Sequence, residues 1–251
     1  MIVACSTLCF AHHTLADALR VMREMHFPKA DLTIRPGGNH LTPAEVLADV
    51  GKVAQKLKTY NLPFTAFHLE LEADDAAKDH LKAVCRLARL MTVPVVTVPA
   101  AAVGANPCDE VNRLAEWTKV AAGDGVILTV ETRLGTITQD VAGAVELCKR
   151  VGGLGLTLDP SHYLCGPHPD ANIEPLFPFV RHVRLRDSNR GPGGFQVRVG
   201  QGEIEYSRVI TSLERCNYDR ALTVDIRDTP DCPFPVDQEV RKLKFLLESL
   251  V

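Results

Sequence analysis

Short runs of apolar and β-branched residues recur roughly every 30 residues along the chain, which is the spacing of a repeated strand and helix unit. The runs are Ile2–Ser6, Ala30–Ile34, Phe64–Leu71, Pro94–Pro99, Gly125–Thr132, Gly153–Asp159, Val180–Asp187 and Ala221–Ile226. Their nearly unbroken apolar character predicts strands that are covered on both faces, as in a parallel sheet.

Segments with helical periodicity separate these runs. Leu15–Met25 places its apolar residues near one face, with Thr14 as the N-cap, and Thr42 before Pro43 marks another helix start. The remaining helical segments are Asp74–Leu90, Glu110–Ala122, Ile137–Arg150, Tyr206–Arg215 and Val236–Leu250. This alternation predicts an α/β fold, a closed (β/α)8 TIM barrel that takes up residues 1–251 as a single domain.

Proline and glycine gather in two stretches that follow predicted strands, Pro160–Pro178 and Asn189–Gly202. Both are long for connections inside a compact domain. Ordinary irregular loops would look the same in sequence, but position and length make these stretches candidates for functional loops.

Composition narrows the classes of partner. The chain has 251 residues, of which 46% are hydrophobic. Its formal net charge is −3, so no overall positive charge attracts the phosphates of a nucleic acid, and we expect no nucleic-acid partner. No apolar run reaches the ~18 residues of a membrane span, and Met1–Ser6 lacks the basic start of a signal peptide. We therefore expect a cytoplasmic protein with a small-molecule substrate and no membrane partner; a homo-oligomer stays open.

The eight cysteines form no CxxC pair, which favours reduced core thiols over a zinc or redox motif.

Polar residues interrupt the apolar runs where the predicted strands end. Three of them are acids in similar settings, Glu131, Asp159 and Asp225, and unpaired carboxylates in an apolar setting are costly. Their counter-charge must be a metal, a cationic side chain or protons. Facing carboxylates with a histidine suit proton removal beside a carbonyl. The same residues could instead form a stabilising salt-bridge network, with Asp159 only capping a turn.

Four segments resemble motifs of one family. They are Leu156–Leu164 (LTLDPSHYL, similar to "DpsH"), Val199–Ile210 (VGQGEIEYSRVI, similar to "GxGxxdw"), Tyr218–Asp225 (YDRALTVD, similar to "YdGxlxvE") and Val126–Glu131 (VILTVE, similar to "lxiEn"). This order is similar to that of the xylose-isomerase-like barrels, which include sugar and sugar-phosphate isomerases and epimerases, inosose dehydratases and apurinic endonucleases.

The resemblance implies a divalent metal, such as Mn, Mg, Co or Zn, on four strand ends. The matching positions are Glu131, Asp159, Arg184 and Asp225. Arg184 stands where the motif "hvHlkD" carries a ligand histidine, since this chain reads HVRLRD over residues 182–187. An arginine donates hydrogen bonds but cannot ligate, so we expect the metal to be weakened or replaced, with Arg184 supplying the positive charge by bridging acids such as Glu131 and Asp159 or Asp225.

The resulting hypothesis is an isomerase or epimerase of a small polyol, keto-sugar or sugar phosphate that acts through an enediolate. Glu131 and Asp225 are the expected acid/base carboxylates, and the expected substrate-binding residues are His162, His68, Arg186 and Arg133. A related dehydratase or lyase, or a non-catalytic sugar-binding barrel, remains an alternative. A multi-zinc nuclease is disfavoured because the fourth predicted strand ends without a histidine.

Overall fold

Eight parallel strands close into a barrel in the computed structural model, which describes residues 1–71 and 76–251. The strands are β1 (Ile2–Ser6), β2 (Ala30–Ile34), β3 (Phe64–Leu69), β4 (Val95–Val98), β5 (Ile127–Glu131), β6 (Gly155–Leu158), β7 (Val180–Leu185) and β8 (Ala221–Val224). Each strand pairs with its sequence neighbours, and β1 pairs with β8. The predicted (β/α)8 barrel is confirmed.

The helices surround this barrel. They are α1 (Leu15–Glu24), α2 (Pro43–Ala48), α3 (Val50–Lys58), α4 (Ala77–Leu90), α5 (Pro107–Gly123), α6 (Val141–Arg150), α7 (Pro160–Leu164), α8 (Tyr206–Arg215) and α9 (Val236–Glu248). Thr14 caps α1 and Thr42 caps α2, as predicted. Asp74, the predicted start of the third helical segment, lies outside the described residues. No helix within the described residues is long and apolar enough to cross a membrane.

The stretch after β6 contains more regular structure than its proline content predicted. Pro160 opens the short helix α7, and the Asp159 carboxylate caps it by accepting a hydrogen bond from the Ser161 amide at 3.0 Å. A 3-10 helix follows at Glu174–Phe179. The cap fixes the position of Asp159 at the mouth of the barrel.

Threonine hydroxyls fill part of the barrel interior. Thr97, Thr129 and Thr157 lie on β4, β5 and β6, and their hydroxyl oxygens contact one another at 2.8–2.9 Å. All three side chains are fully buried. Each hydroxyl has one proton to donate, so the three contacts can form a ring in which every hydroxyl donates to one neighbour and accepts from the other.

The cysteines are all free thiols, as expected. Four are buried, namely Cys5, Cys9, Cys85 and Cys148, but Cys108 and Cys216 are exposed, so the expectation of core thiols holds for only part of the set.

Candidate functional site

Charged and imidazole side chains converge at the carboxyl ends of the strands. The cluster consists of four acids (Asp31, Glu131, Asp159, Asp225), three arginines (Arg184, Arg186, Arg227) and three histidines (His68, His162, His182). All except Arg227 are buried, and Arg184 and Arg186 are the largest fully buried side chains described. Alternation along β7 aims His182 and Arg184 inward, while Val183 and Leu185 join the apolar core.

Arg184 points into the barrel, as expected, but its partner is an acid that sequence reasoning missed. Its Nε and Nη2 atoms each lie 2.9 Å from an oxygen of Asp31 on β2, which makes a side-on bidentate pair. His182 Nε2 lies 2.8 Å from the same carboxylate. The expected bridge from Arg184 to Asp159 or Asp225 is therefore corrected, because the planar donor edge is already used by Asp31.

The charge of Arg184 and the hydrogen bond from His182 also set the ionisation of Asp31. Burial alone would raise the pKa of Asp31, but these contacts outweigh it and lower the pKa to about 2. Asp31 is ionised at neutral pH.

Arg186 lies between the carboxylates that follow β6 and β8. Its Nη2 atom is 2.8 Å from Asp159 Oδ2 and 2.5 Å from Asp225 Oδ2. Burial raises the pKa of Asp225, but the charges of Arg184, Arg186 and Arg227 together hold it well below its ordinary range. Asp225 is consequently a poor proton acceptor.

Glu131 is the acid of the cluster with the fewest contacts. It is fully buried, and neither of its oxygens has a hydrogen-bond partner among the residues that the structure describes. Its nearest cation is Arg184, whose Nη1 lies 3.7 Å from Oε1. Burial raises the pKa of Glu131, but His68, which is protonated at the low pH where Glu131 titrates, and the charges of Arg184 and Arg227 lower it to about 2. Glu131 is thus an ionised carboxylate with open lone pairs.

His162 is oriented by the chain that follows β5. Its Nδ1 accepts a hydrogen bond from the Leu134 amide at 3.1 Å, so the neutral ring carries its proton on Nε2. Burial lowers the pKa of His162, which keeps the ring neutral. The Nε2 atom lies 3.6 Å from Asp159 Oδ2 and is free to donate to a bound molecule.

His68, at the end of β3, is neutral for a related reason. Burial, followed by the charge of Arg184, lowers its pKa to about 4. Neither ring nitrogen has a hydrogen-bond partner in the described part of the chain, and Nε2 lies 3.9 Å from Glu70 Oε1. The fourth predicted substrate contact, Arg133, is not drawn into the cluster by any ion pair or side-chain hydrogen bond in residues 1–71 and 76–251. Within these residues only its backbone is bonded: the amide donates to the Thr138 hydroxyl, and the carbonyl accepts from the Thr136 hydroxyl.

The loop after β7 folds back over this cluster. Asp187 Oδ2 accepts hydrogen bonds from the amides of Gly200 and Gly202 at 2.8 and 3.0 Å. A Cβ atom at Gly202 would lie 2.0 Å from Asp187 Oδ1, so only glycine fits there. The anchored loop places the Phe195 ring 4.7 Å from the Arg186 guanidinium and 4.7 Å from the His162 ring. The sequence predicted a functional loop here, but not Phe195.

A divalent cation fits this donor set poorly. Glu131, Asp159 and His162 each offer a ligand atom, and these atoms lie within 4.8 Å of one another. However, the fourth ligand position of the implied centre is Arg184, and Arg186 already contacts the facing oxygens of Asp159 and Asp225. The residues do not fit the four-ligand centre that the resemblance implies.

The chain matches a known protein family and resembles solved structures of other proteins. The sequence model of a family described as "Xylose isomerase-like TIM barrel" matches residues 14–248. D-allulose 3-epimerase from Methylomonas sp. has a similar structure, with 14% identity and a TM-score of 0.76 over 100% of this chain and 98% of that chain. No match was found among curated proteins.

Two further solved structures are similar. The probable 3-DHS dehydratase from Bacillus anthracis shares 17% identity at a TM-score of 0.73, over 97% of this chain and 98% of that chain. A xylose isomerase-like TIM barrel protein from Mycobacterium smegmatis, in complex with magnesium, shares 16% identity at a TM-score of 0.77, over 100% and 98% of the two chains. At these identities the solved structures show the shared fold.

Proposed function

Because the chain belongs to the xylose isomerase-like TIM barrel family, we propose that it isomerises a small keto-sugar, free or phosphorylated, through an enediolate. The D-allulose 3-epimerase and the dehydratase among the similar structures support chemistry of this kind. The observation that carries the proposal is Glu131, an ionised, fully buried carboxylate with both oxygens free of hydrogen bonds.

Glu131 acts as the base. Its carboxylate takes the proton from the carbon next to the carbonyl, the C–H electron pair forms the carbon–carbon double bond, and the carbonyl oxygen gains the negative charge. The same carboxylate returns the proton to the former carbonyl carbon. The hydroxyl proton moves from the substrate's hydroxyl oxygen to the former carbonyl oxygen. Atoms and charge then balance between ketose and product.

Guanidinium groups stabilise the charge that develops on the oxygen. Arg184 Nη1 and the Nε and Nη1 atoms of Arg186 carry no hydrogen bond within the described residues. Such fixed donors in a buried site stabilise an oxyanion more strongly than water does. The Nε2–H of His162 and the neutral ring of His68 orient the substrate hydroxyls.

The contacts of Asp225 favour isomerisation over epimerisation. Epimerisation by two opposed bases would need Asp225 to accept a proton, but Arg186 and the other two arginines hold its pKa well below the ordinary range. Asp225, expected from the sequence to be the second acid/base group, is assigned here to holding Arg186. Isomerisation needs only Glu131.

Deuterium exchange tests this function. Purified protein is incubated with candidate ketoses and ketose phosphates in D2O. Proton NMR follows the signal of the hydrogen on the carbon next to the carbonyl, which disappears as deuterium replaces it. We expect exchange with the wild type and loss of at least about 10²-fold with Glu131→Gln, since the isosteric amide cannot accept the proton. Glu146→Gln, the same change at an exposed position of α6, is the matched control and should exchange like the wild type.

The same experiment separates the alternatives. Exchange that leads to loss of water would indicate a dehydratase, and saturable substrate binding without exchange would indicate a sugar-binding barrel. Retention of wild-type exchange in a folded Glu131→Gln protein would remove Glu131 as the base.

A further inference from the structure

We propose that the Arg186 guanidinium takes the place of the divalent cation expected in this fold, so that the site works without a bound metal. This inference concerns the charge of the site and holds for whichever reaction the site catalyses. It also changes the interpretation of the sequence, which pointed to Arg184 as the replacement.

The first argument is geometric. Asp159 and Asp225 stand at two of the four positions where the resemblance implies metal ligands, and Arg186 Nη2 contacts one oxygen of each, at 2.8 and 2.5 Å. An ion bound to either oxygen at a usual metal–oxygen distance of about 2.0–2.2 Å would lie within a few ångströms of this guanidinium. Like charges at that separation repel strongly in a buried site.

The second argument concerns the fixed position of Arg186. An exposed arginine can carry its charged head away from its stem, but Arg186 is fully buried. Its guanidinium stacks on Phe195 at 4.7 Å, and Asp187 anchors the loop that carries this ring. The positive charge of the Arg186 guanidinium is therefore held in a fixed position by the folded protein.

The third argument concerns charge balance. Four carboxylates (Asp31, Glu131, Asp159, Asp225) face three guanidinium groups (Arg184, Arg186, Arg227), and these seven groups alone carry a formal charge of −1. Three carboxylates around a divalent cation would leave the same net charge. Adding a divalent cation to the present set would reverse the sign and leave a buried positive charge, which is costly.

The two arginines differ in what they neutralise. Arg184 uses its side-on edge for Asp31, an acid outside the implied ligand set, and comes no nearer than 3.7 Å to Glu131, a member of it. Arg186 contacts two members of that set, at 2.8 and 2.5 Å. Replacing Arg184 alone would leave the Arg186 contacts in place. Replacing Arg186 would expose the oxygens of Asp159 and Asp225 to an ion.

The experiment measures metal binding without turnover. Wild type, Arg184→His and Arg186→Met are dialysed against metal-free buffer and then titrated with MnCl2, with bound Mn read by electron paramagnetic resonance and metal content by mass spectrometry. We expect little bound metal in the wild type and in Arg184→His. In Arg186→Met the affinity for Mn should rise about tenfold or more, because removing the neighbouring guanidinium charge relieves the repulsion.

Arg190→Met is the matched control, since Arg190 is an exposed arginine that also pairs with two acids, Asp170 and Glu203, outside the site. It should bind Mn as the wild type does. One metal per chain in the wild type that resists dialysis would overturn the proposal, as would a folded Arg186→Met protein with unchanged affinity. If Arg186→Met does not fold, the wild-type titration decides alone. A protein without metal and without isomerase activity would refute the proposed function and leave this inference standing.

Discussion

The ion pair between Asp31 and Arg184 provides a quantitative test of how the buried charges stabilise the barrel. The substitution is Asp31→Asn, which keeps the shape of the side chain and removes its charge. In the wild type, Asp31 receives two hydrogen bonds from Arg184 and contacts His182 Nε2 at 2.8 Å. In the variant, the NH2 group of the asparagine side chain replaces one acceptor oxygen and faces the N–H donors of Arg184 and His182. Arg184 then keeps a buried charge without its bidentate carboxylate partner.

The expected loss of stability is large. Removing one partner of a buried ion pair costs about 3–5 kcal/mol, because the remaining charge stays desolvated. For a chain of this size about 1 kcal/mol corresponds to roughly 2–4 °C in Tm, so the midpoint should fall by about 6–20 °C. Such a change is a large part of the total stability of a typical protein, which is about 5–15 kcal/mol.

The pKa of Asp31 gives the pH dependence of the same contact. The pKa falls from 3.8 to about 2 on folding, despite burial, because of Arg184 and His182. A depressed folded pKa means that the contribution, about 2 kcal/mol, is present above pH 4 and is lost as the pH falls toward 2. The wild type should therefore lose stability more steeply than Asp31→Asn between pH 4 and pH 2.

Urea unfolding, followed by circular dichroism, measures both effects. Asp170→Asn is the matched control, because Asp170 pairs with Arg190 at the same 2.9 Å distance but its side chain is 83% exposed. This exposed pair should contribute less than about 1 kcal/mol. Equal, small losses in Asp31→Asn and Asp170→Asn, or parallel pH profiles for the wild type and Asp31→Asn, would refute the reasoning.

The remaining predictions concern the substrate, the anchored loop and the barrel interior. His162→Ala should raise KM more than it lowers kcat in steady-state kinetics if His162 orients the substrate, as we propose; a loss confined to kcat would contradict this role. Gly202→Ala should open the loop to limited proteolysis because its Cβ would clash with Asp187, whereas Gly152→Ala, with no atom near its Cβ, should digest like the wild type. Thr157→Val should cost about 1–2 kcal/mol in urea unfolding, because it removes one hydroxyl from the trio; an unchanged midpoint would show that the trio adds no stability.

Periodicity predicted the barrel well, because both faces of every strand are buried and the apolar pattern records that burial directly. The observed strands begin and end within the predicted runs. Strands β6 and β8 end one residue before the polar residues Asp159 and Asp225. Helix ends were less predictable. The second helical segment ends at Ala48 because Asp49 accepts a hydrogen bond from the Lys52 amide and starts a new helix.

Most acids of the site were predictable from the sequence, but their pairing was not. Glu131, Asp159 and Arg184 could be named because each interrupts or ends an apolar run. Asp31 was missed, although it also lies inside a predicted strand, because its partner is 153 residues away in sequence. Which arginine meets which acid depends on the barrel geometry, which a one-dimensional pattern does not contain.

The side-on pair of Arg184 and Asp31 also restricts how such a site could have arisen. An arginine at position 184 without Asp31 would lack its bidentate partner and would have Glu131 only at 3.7 Å, whereas Asp31 without Arg184 would keep, among the described residues, only its 2.8 Å contact with His182. Each single substitution, in either direction, passes through a destabilised protein. Each of the two residues therefore raises the energetic cost of changing the other, and a histidine at position 184 would be better tolerated together with a neutral residue at position 31.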